Sequence, residues 1–132
     1  MKTYGKPEKG VTYTERRGVY AVIFRDCTFA ELGLMHNTIG RYFLPGGGME
    51  DGETEQQCLR RELLEETGYT LRCIRRLGSA RRYYPTRPNG RRPLLGIGSF
   101  YTARLDVRVQ PPDESHEVFV WLETARAISS LY

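Results

Sequence analysis

One segment near the middle of the chain carries a complete set of helix signals, and it constrains the fold more than any other. Thr54 and Gln57 have the spacing of a capping box at a helix N-terminus. Residues 55–66 are mainly Glu, Gln, Leu and Arg, which favour helices, and Gly68 is a typical C-terminal stop. Two leucines four residues apart are expected to face the core. We therefore expect one strong helix over 55–66.

Short apolar and β-branched runs lie on both sides of this helix and indicate strands. Strands are predicted over 19–24, 32–36, 41–44, 70–76, 78–84, 94–105 and 118–122, and a short second helix over 123–131. Glycine and proline predict loops at 45–48 and 85–93, and residues 1–10 resemble a loose or edge-packed arm. Strands that flank one strong helix indicate an α/β or α+β fold, here in one domain over 1–132.

The composition excludes several other classes of protein. A chain of 132 residues can bury a core without disulfides. No apolar run approaches the length of about eighteen residues that spans a bilayer, and the N-terminus lacks the apolar region of a signal peptide. We therefore expect no membrane partner. Three scattered cysteines with no Cys-x-x-Cys pair indicate neither a zinc site nor a disulfide framework, and they favour a cytoplasmic location.

Charge is divided unevenly along the chain. Of the 20 cationic residues only three are lysines, and arginine is the residue favoured for bidentate phosphate contacts. Residues 50–66 hold seven acidic side chains, whereas residues 67–105 hold nine arginines and no acid. Such neighbouring blocks would place a metal ion beside a polyanionic substrate. The alternatives are a compositional bias toward arginine and two solvated faces of opposite sign.

Three carboxylates are expected on one face of the predicted helix. Glu62, Glu65 and Glu66 are spaced i, i+3 and i+4, so they fall within about 100° of arc. Their mutual repulsion costs helix stability. A bound Mg²⁺, Mn²⁺ or Ca²⁺ would offset this cost, because these ions prefer oxygen ligands. The alternative is a solvated acidic face relieved by Arg60 and Arg61.

The spacing around these carboxylates resembles the Nudix box, G-x5-E-x7-R-E-U-x-E-E-x-G-U, in which U is apolar. The fixed positions are occupied by Gly47, Glu53, Arg61, Glu62, Glu65, Glu66 and Gly68. The last position holds Tyr69, where the family usually has an aliphatic residue. The Val-Tyr-Ala-Val-Ile-Phe run, the Leu-Pro-Gly-Gly-Gly segment and a later Glu-x-x-x-Trp also resemble the wider domain. The likeness thus extends over nearly the whole chain, although only residues 47–69 are specific.

This resemblance implies a fold, an activity and a cofactor. The fold would be the Nudix fold, a mixed β-sheet sandwiched between helices, with the box forming a loop–helix–loop. The activity would be that of a MutT-like pyrophosphohydrolase, which hydrolyses a nucleoside diphosphate linked to another group, X. The expected substrate is a nucleotide such as an NTP, a dNTP or an oxidised nucleotide. The cofactor would be Mg²⁺, with Mn²⁺ as a substitute.

The resemblance also implies roles for individual residues. The metal shell would consist of the Glu62, Glu65 and Glu66 carboxylates and the backbone carbonyl of Gly46. Arg61 would hold Glu62 by an ion pair, and Glu53 would support the structure. A glutamate outside the box would complete the shell or act as the base; we select Glu117, with Glu114 and Glu123 as rivals. The implied catalytic set is Glu62, Arg61, Glu65 and Glu117.

We expect the substrate-binding residues to lie in the arginine-rich block. Arg81, Arg82 and Tyr83 place cations beside an aromatic ring and would grip phosphate and stack on a base. The alternative is strand packing with arginines that extend into water. The expected partner is a small nucleotide rather than a nucleic acid. A homodimer is one expected assembly, because the short C-terminal helix leaves part of the substrate wall to a second copy.

Two other functions stay open at this point. One is a Nudix-like sensor that binds a nucleotide without cutting it, although loss of catalysis should erode the box first. The other is RNA or DNA binding by the arginines between 72 and 92, which a Nudix enzyme that acts on the 5′ ends of RNA would combine with hydrolysis. The glycine segment at 46–48 is not a Walker A motif, because no Lys-Ser/Thr pair follows it.

Overall fold

The computed structural model describes residues 1–85, 92–113 and 115–132. In chain order the elements are β1 (Lys2–Tyr4), β2 (Thr14–Ile23), β3 (Glu31–Asn37), β4 (Tyr42–Phe43), β5 (Gly46–Gly48), α1 (Glu55–Thr67), β6 (Tyr69–Tyr84), β7 (Leu94–Arg108), β8 (Glu117–Glu123) and α2 (Thr124–Ser130). The predicted α+β class is confirmed.

The strands form two sheets. The five-stranded sheet has the order β1-β6-β7-β2-β5 and the three-stranded sheet the order β4-β3-β8. β2 pairs parallel with β7, whereas β6 pairs antiparallel with β7, so the larger sheet is mixed. A single bridge between Phe24 and Leu32 joins the sheets at the end of β2. The N-terminal arm is edge-packed, because β1 pairs with β6 at the sheet edge.

The central helix begins and ends where its signals predict. The Thr54 hydroxyl accepts a bond from the Gln57 amide at 3.1 Å, and the Gln57 side chain accepts one from the Thr54 amide at 2.9 Å. Gly68 adopts the left-handed conformation, at φ 79°. Leu59 and Leu63 are fully buried, as predicted. Local signals thus fix the helix that carries the acidic residues.

The structure differs from the sequence-based prediction most clearly at residues 45–48, where a loop is expected. Residues 45–48 are not simply a loop, because Gly46–Gly48 form β5, which pairs antiparallel with β2. A Cβ atom on Gly46 would lie 2.1 Å from the Val19 carbonyl oxygen, and Gly46 has φ 137°. Only glycine allows this close approach. β5 thereby brings the start of the box under α1.

Two predicted strands, 70–76 and 78–84, are one strand in the structure. β6 runs through both, with register shifts between Arg72 and Arg75 and between Arg76 and Gly78. Bulges of this kind add residues without ending the pairing. Of the predicted loop at 85–93, residues 86–91 lie outside the described residues.

The two helices lie on opposite sides of the sheet layer. α1 packs on one side over a core that includes Val19, Ile23 and Tyr101. α2 packs on the other side, where Ala127 meets Leu32 and its neighbours. No helix in the described ranges is both long and apolar enough to cross a membrane. Cys27, Cys58 and Cys73 are free thiols.

Candidate active site

The first turn of α1 is anchored to the large sheet through Glu55. Its carboxylate accepts hydrogen bonds from the Tyr101 hydroxyl at 2.6 Å and from the Ser99 hydroxyl at 2.8 Å. Arg76 donates to the same carboxylate at 3.2 Å. These bonds hold the pKa of Glu55 below its usual value, with the Tyr101 bond as the main cause. These three hydrogen bonds fix the rotation of α1 about its own axis. No pattern in the sequence predicts them.

Arg61 connects the box to the segments around it. It donates from Nε and Nη2 to both oxygens of Glu53, at 2.7 and 2.9 Å. Nη1 donates to Glu62 at 2.9 Å, and Nη2 also donates to the Gly48 carbonyl at 3.0 Å. The planar guanidinium group of Arg61 thus fixes the positions of Glu53, Glu62 and the Gly48 carbonyl relative to one another. The geometry agrees with the ion pair expected between Arg61 and Glu62.

Among the described carboxylates, Glu53 is the one most strongly stabilised in its charged form. The bonds from Arg61, and next the Glu50 backbone N–H, lower the pKa of Glu53 to about 2. A lowered pKa contributes stability that is present above the ordinary value of Glu and is lost as the pH falls toward 2. Glu53 therefore supports the loop before the helix in neutral solution.

Glu53→Gln should destabilise the protein at pH 7 and progressively less in acid. The stability difference between parent and variant should shrink as the pH falls below about 4.5, because Glu53 of the unfolded parent then takes up a proton while folded Glu53 stays charged. Urea unfolding between pH 7 and pH 3 measures it. Glu8→Gln, which changes an exposed carboxyl in the N-terminal arm, is the control. A difference that does not change with pH would contradict the role given to Glu53.

Glu62 lies against the glycine strand. A Cβ atom on Gly47 would lie 2.5 Å from the Glu62 carboxyl carbon, so only glycine leaves room for this carboxylate. The side chain is 18% exposed. Burial raises the pKa of Glu62, and Arg61 opposes that shift. The carboxylate is therefore held between β5 and the guanidinium group.

Among the described acidic groups, Glu66 is the one whose charged form is most strongly disfavoured by its surroundings. Its Oε1 accepts a hydrogen bond from the Gly46 backbone N–H at 2.8 Å. Burial raises the pKa of Glu66 to about 8, and the charges of Glu62, Glu117 and Glu65 act in the same direction. A partly buried carboxylate among like charges is a favourable place for a cation.

Glu117 faces the same space from β8. Glu66 and Glu117 both line a cavity of about 640 Å³ between α1, the end of β7 and the start of β8. Glu123, one rival for the outside glutamate, lies at the other end of β8, where its side chain accepts a bond from the Ala125 amide at 3.3 Å. The second rival, Glu114, lies outside the described residues. The position of Glu117 favours it over Glu123.

The remaining walls of this cavity were not predicted as part of a site. Aromatic rings of β8 form one side, with Phe119 and Trp121 edge to face at 5.0 Å between centroids. A Cβ atom on Gly33 would lie 2.3 Å from the Phe119 ring, so that glycine makes room for it. The other lining residues are Arg25, Thr67, Tyr69, Leu105, Pro112, Asp113, Ser115 and Val118.

The acidic face of α1 has oxygen ligands that suit a divalent cation, but these ligands do not yet converge on one point. Among the residues with described positions, no three His, Cys, Asp or Glu side chains are gathered closely enough to hold a metal ion. Glu62 is bonded to Arg61, and Glu65 lies 3.6 Å from the same group. Oxygen donors alone, one of them the partly buried Glu66 carboxylate, fit a hard cation such as Mg²⁺.

The predicted substrate residues do not share one face of β6. Arg81 pairs with Ile97 and Arg82 with Gly96, so their side chains point to opposite sides of the sheet. Tyr83 lies on the same side as Arg81, whose guanidinium is 6.0 Å from the Tyr83 ring. That side is the one on which α1 packs. The structure thus brings Arg81 and Tyr83 together and separates Arg82 from them.

Solved structures with the same fold are found over most of the chain. A NUDIX hydrolase from Nitrosomonas europaea aligns with a TM-score of 0.70, at 20% identity, over 89% of this chain and 78% of that one. A MutT from a study of Aliivibrio salmonicida and Vibrio cholerae aligns with a TM-score of 0.60, also at 20% identity, over 90% and 88%. At this level of identity the likeness shows the fold.

Curated relatives match a much shorter segment. RNA pyrophosphohydrolases from Aliivibrio fischeri and Aliivibrio salmonicida are 49% identical over 39 residues, which is 30% of this chain. The match spans only 23% of the length of those relatives. The chain therefore matches less than a quarter of the length of these relatives.

The family itself is shown by a match over nearly the whole chain. The model of the NUDIX domain matches residues 14–131, which include every element from β2 to α2. The resemblance predicted from the spacing of the box is thereby confirmed, together with the fold that it implied. The chain belongs to the NUDIX domain family.

Proposed function

We propose that this protein is a Mg²⁺-dependent hydrolase that cleaves the pyrophosphate linkage of a nucleoside diphosphate linked to X. The expected substrate is a nucleotide such as an NTP, a dNTP or an oxidised nucleotide. The observation that carries the proposal is the position of Glu66. Its carboxylate is partly buried, has its pKa raised to about 8, and lines a cavity that Glu117 also lines.

The metal ligands of this proposal are Glu62, Glu65, Glu66 and the Gly46 carbonyl. Gly46 lies opposite Tyr20, between the Ala21–Pro45 and Met49–Arg17 hydrogen bonds that join the two strands. A residue in such a pair turns both backbone groups away from its partner strand. Its carbonyl therefore belongs to the free edge of β5, where its N–H meets Glu66.

The reaction of this proposal is the attack of water on one phosphorus. A bound Mg²⁺ would neutralise phosphate oxygens and lower the pKa of a coordinated water. Glu117 would accept the proton of the attacking water as its oxygen bonds to phosphorus. The bond from that phosphorus to the bridging oxygen breaks, and the second phosphate leaves with the bridging oxygen. Arg61 acts by positioning, because it fixes Glu62 and the Gly48 carbonyl.

The substrate would lie along the helix-facing side of the large sheet. Arg81 and Tyr83 share that side and remain our candidates for binding phosphate and base. Arg82 would be outside this contact, since its side chain points to the opposite side. The free thiols Cys27, Cys58 and Cys73 fit a reducing compartment, so a cytoplasmic location is part of the proposal.

Removal of divalent cations should abolish hydrolysis. The protein, incubated with a pool of NTPs, dNTPs, ADP-ribose, dinucleoside polyphosphates and sugar nucleotides, should release products with Mg²⁺ and none with excess EDTA. Mn²⁺ should restore activity, because it also takes oxygen ligands. Chromatography of the products identifies X and the cleaved bond. Hydrolysis that continues at full rate in EDTA would contradict the metal dependence.

The 5′ end of RNA is a second candidate substrate. The 39-residue match to RNA pyrophosphohydrolases favours it. A 5′-triphosphorylated RNA should then lose pyrophosphate or phosphate faster than a free NTP at the same concentration. Faster hydrolysis of the free nucleotide would reject the RNA end as the preferred substrate.

A further inference from the structure

Glu55 connects the first turn of α1 to strands that lie outside the box. Its carboxylate accepts hydrogen bonds from the Ser99 and Tyr101 hydroxyls of β7. Arg76 of β6 donates to the same carboxylate. The side-chain contacts of Arg61, in contrast, are made to residues of the box itself. Glu55 therefore relates the box to the interior of the large sheet.

The contacts of Glu55 differ from those of an ordinary acidic residue in a first turn. Such a residue is favoured there simply because it faces the positive end of the helix dipole. Both carboxylate oxygens of Glu55 are instead taken up by the sheet, Oε1 by Tyr101 and Arg76 and Oε2 by Ser99. Ser99 and Tyr101 are buried, whereas the Arg76 side chain is 49% exposed. The two hydroxyls of β7 are therefore the rigid part of this anchor.

The anchor lies in the same row of the sheet as the glycine beneath Glu62. In the register of the strands, Ser99 lies opposite Val19, and Val19 lies opposite Gly47. Residues of one row share a side of the sheet, and Val19 belongs to the core on which α1 packs. Two strand spacings separate Ser99 from Gly47, a distance of about 10 Å.

α1 spans this row over a matching distance. Glu55 and Glu62 are seven residues apart, which is about 10 Å along a helix and about 20° around it. Leu59 lies between them and packs in the same core cluster as Val19. At the far end, the Glu62 carboxyl carbon lies 2.5 Å from the position that a Cβ atom on Gly47 would take. A rotation of the helix at Glu55 is therefore carried to Glu62.

Glu66 follows the same rotation. It is eleven residues from Glu55, again within about 20° around the helix. Its Oε1 accepts the Gly46 backbone N–H at 2.8 Å. A rotation of about 10° moves the outer atoms of a helix by about 1 Å. That exceeds the few tenths of an ångström within which metal–ligand distances are held.

We propose that Glu55 is a positioning residue for the metal centre. Its bonds to Ser99 and Tyr101 set the rotation of α1 at which Glu62 and Glu66 can converge on one divalent cation. Glu55 touches neither the cation nor the substrate and acts through the helix alone. This inference rests on the proposed function, because it assumes that the face of α1 binds a metal ion.

A titration with Mn²⁺ in the absence of substrate, followed by the electron paramagnetic resonance of the free ion, tests this proposal. Glu55→Gln keeps the size of the side chain but has one acceptor oxygen in place of two. The dissociation constant of Mn²⁺ should rise about tenfold, the lower end of the range for groups that orient metal ligands. Tyr101→Phe should give part of the same loss. The double variant should lose less than the product of the two single losses, because both changes break one bond.

Thr54→Ala is the matched control at the same end of α1. It removes the capping bond to the Gln57 amide and should make the protein unfold at a lower urea concentration. Because the bonds of Glu55 are retained, it should bind Mn²⁺ as the parent does. A role of Glu55 in stability alone would instead leave Mn²⁺ binding by folded Glu55→Gln unchanged.

Amide hydrogen exchange in EDTA reports the position of α1 without a metal ion. In Glu55→Gln the Gly46 amide, which is bonded to Glu66, should exchange faster than in the parent. The Ala21 amide, bonded to the Pro45 carbonyl, should keep its rate. Equal acceleration of both amides would indicate general loosening rather than rotation of α1, and would contradict the proposal.

Other results separate this inference from the proposed function. A parent that binds Mn²⁺, with folded Glu55→Gln and Tyr101→Phe variants that bind it equally well, would overturn the inference alone. Equal losses in Thr54→Ala and Glu55→Gln would do the same. A parent that binds no Mn²⁺ would contradict the inference and the proposed function together. Tyr101→Phe, which leaves the Glu55 carboxylate in place, decides the matter if Glu55→Gln does not fold.

Discussion

Glu66→Gln should lower the rate of nucleotide hydrolysis at least about a hundredfold without destabilising the protein. The amide oxygen of Gln can still accept the Gly46 N–H, but it carries no charge for a cation. Because burial raises the pKa of Glu66 to about 8, ionisation of this carboxyl opposes folding. The variant should therefore lose activity while it keeps or gains stability.

The sign of the stability change depends on pH. A raised pKa contributes stability below the ordinary value of Glu, near 4.5, and this contribution is lost as the pH rises through about 8. Gln does not titrate, so in EDTA its advantage over the parent should be small at pH 5 and larger at pH 9. Urea unfolding at both values measures this. A variant that is less stable at pH 9, or that hydrolyses at the parent rate, would contradict the role of Glu66.

Arg61→Lys should lower the rate of hydrolysis nearly as much as Glu66→Gln, although the positive charge is kept. An ammonium group cannot bond both oxygens of Glu53 and also reach Glu62 and the Gly48 carbonyl. We expect a loss of about 2 kcal/mol in the free energy of unfolding, on the scale of hydrogen bonds to charged groups. We also expect activity to fall about 10- to 100-fold, as when the supports of metal ligands are removed.

Arg60→Lys is the matched control for this change. Arg60 precedes Arg61 on the same helix, is exposed, and donates one bond to the Leu71 carbonyl at 3.3 Å. It should retain activity and nearly all stability. Steady-state kinetics and urea unfolding of both variants make the comparison. Equal losses in the two variants would show that any arginine in this part of the helix matters, and would contradict a special role for Arg61.

The parts of the structure that sequence could predict depend on local interactions. The capping box at Thr54 and the left-handed Gly68 lie within the helix they delimit, so their spacing is enough to place α1. The same spacing places Glu62, Glu65 and Glu66 on one side of the helix. Membership of the family followed from that helix and its flanking glycines.

The parts that sequence missed depend on contacts between distant segments. Gly46–Gly48 were expected to be a loop because glycine has weak strand propensity, but they form β5 because β2 and α1 crowd them. The anchoring of Glu55 on Ser99 and Tyr101 joins residues more than 40 positions apart. No local pattern signals such pairs.

The arginine-rich block shows the same limit. Arg81 and Arg82 are neighbours in sequence, and both were expected to contact substrate. The pairing of β6 with β7 sends them to opposite sides of the sheet. Only the register of three strands shows that Arg82 shares a side with Arg16, and that this side is rich in glycine and aromatic residues.

Anomalous diffraction from crystals soaked in MnCl₂ tests the central claim, that one side of α1 binds a divalent cation. We expect a manganese peak about 2 Å from carboxylate oxygens of Glu62 and Glu66, the distance at which small divalent ions take oxygen ligands. The Gly46 carbonyl should lie at the same distance. Full diffraction data without that peak, with Glu62 still bonded to Arg61 and Glu66 to the Gly46 N–H, would contradict it.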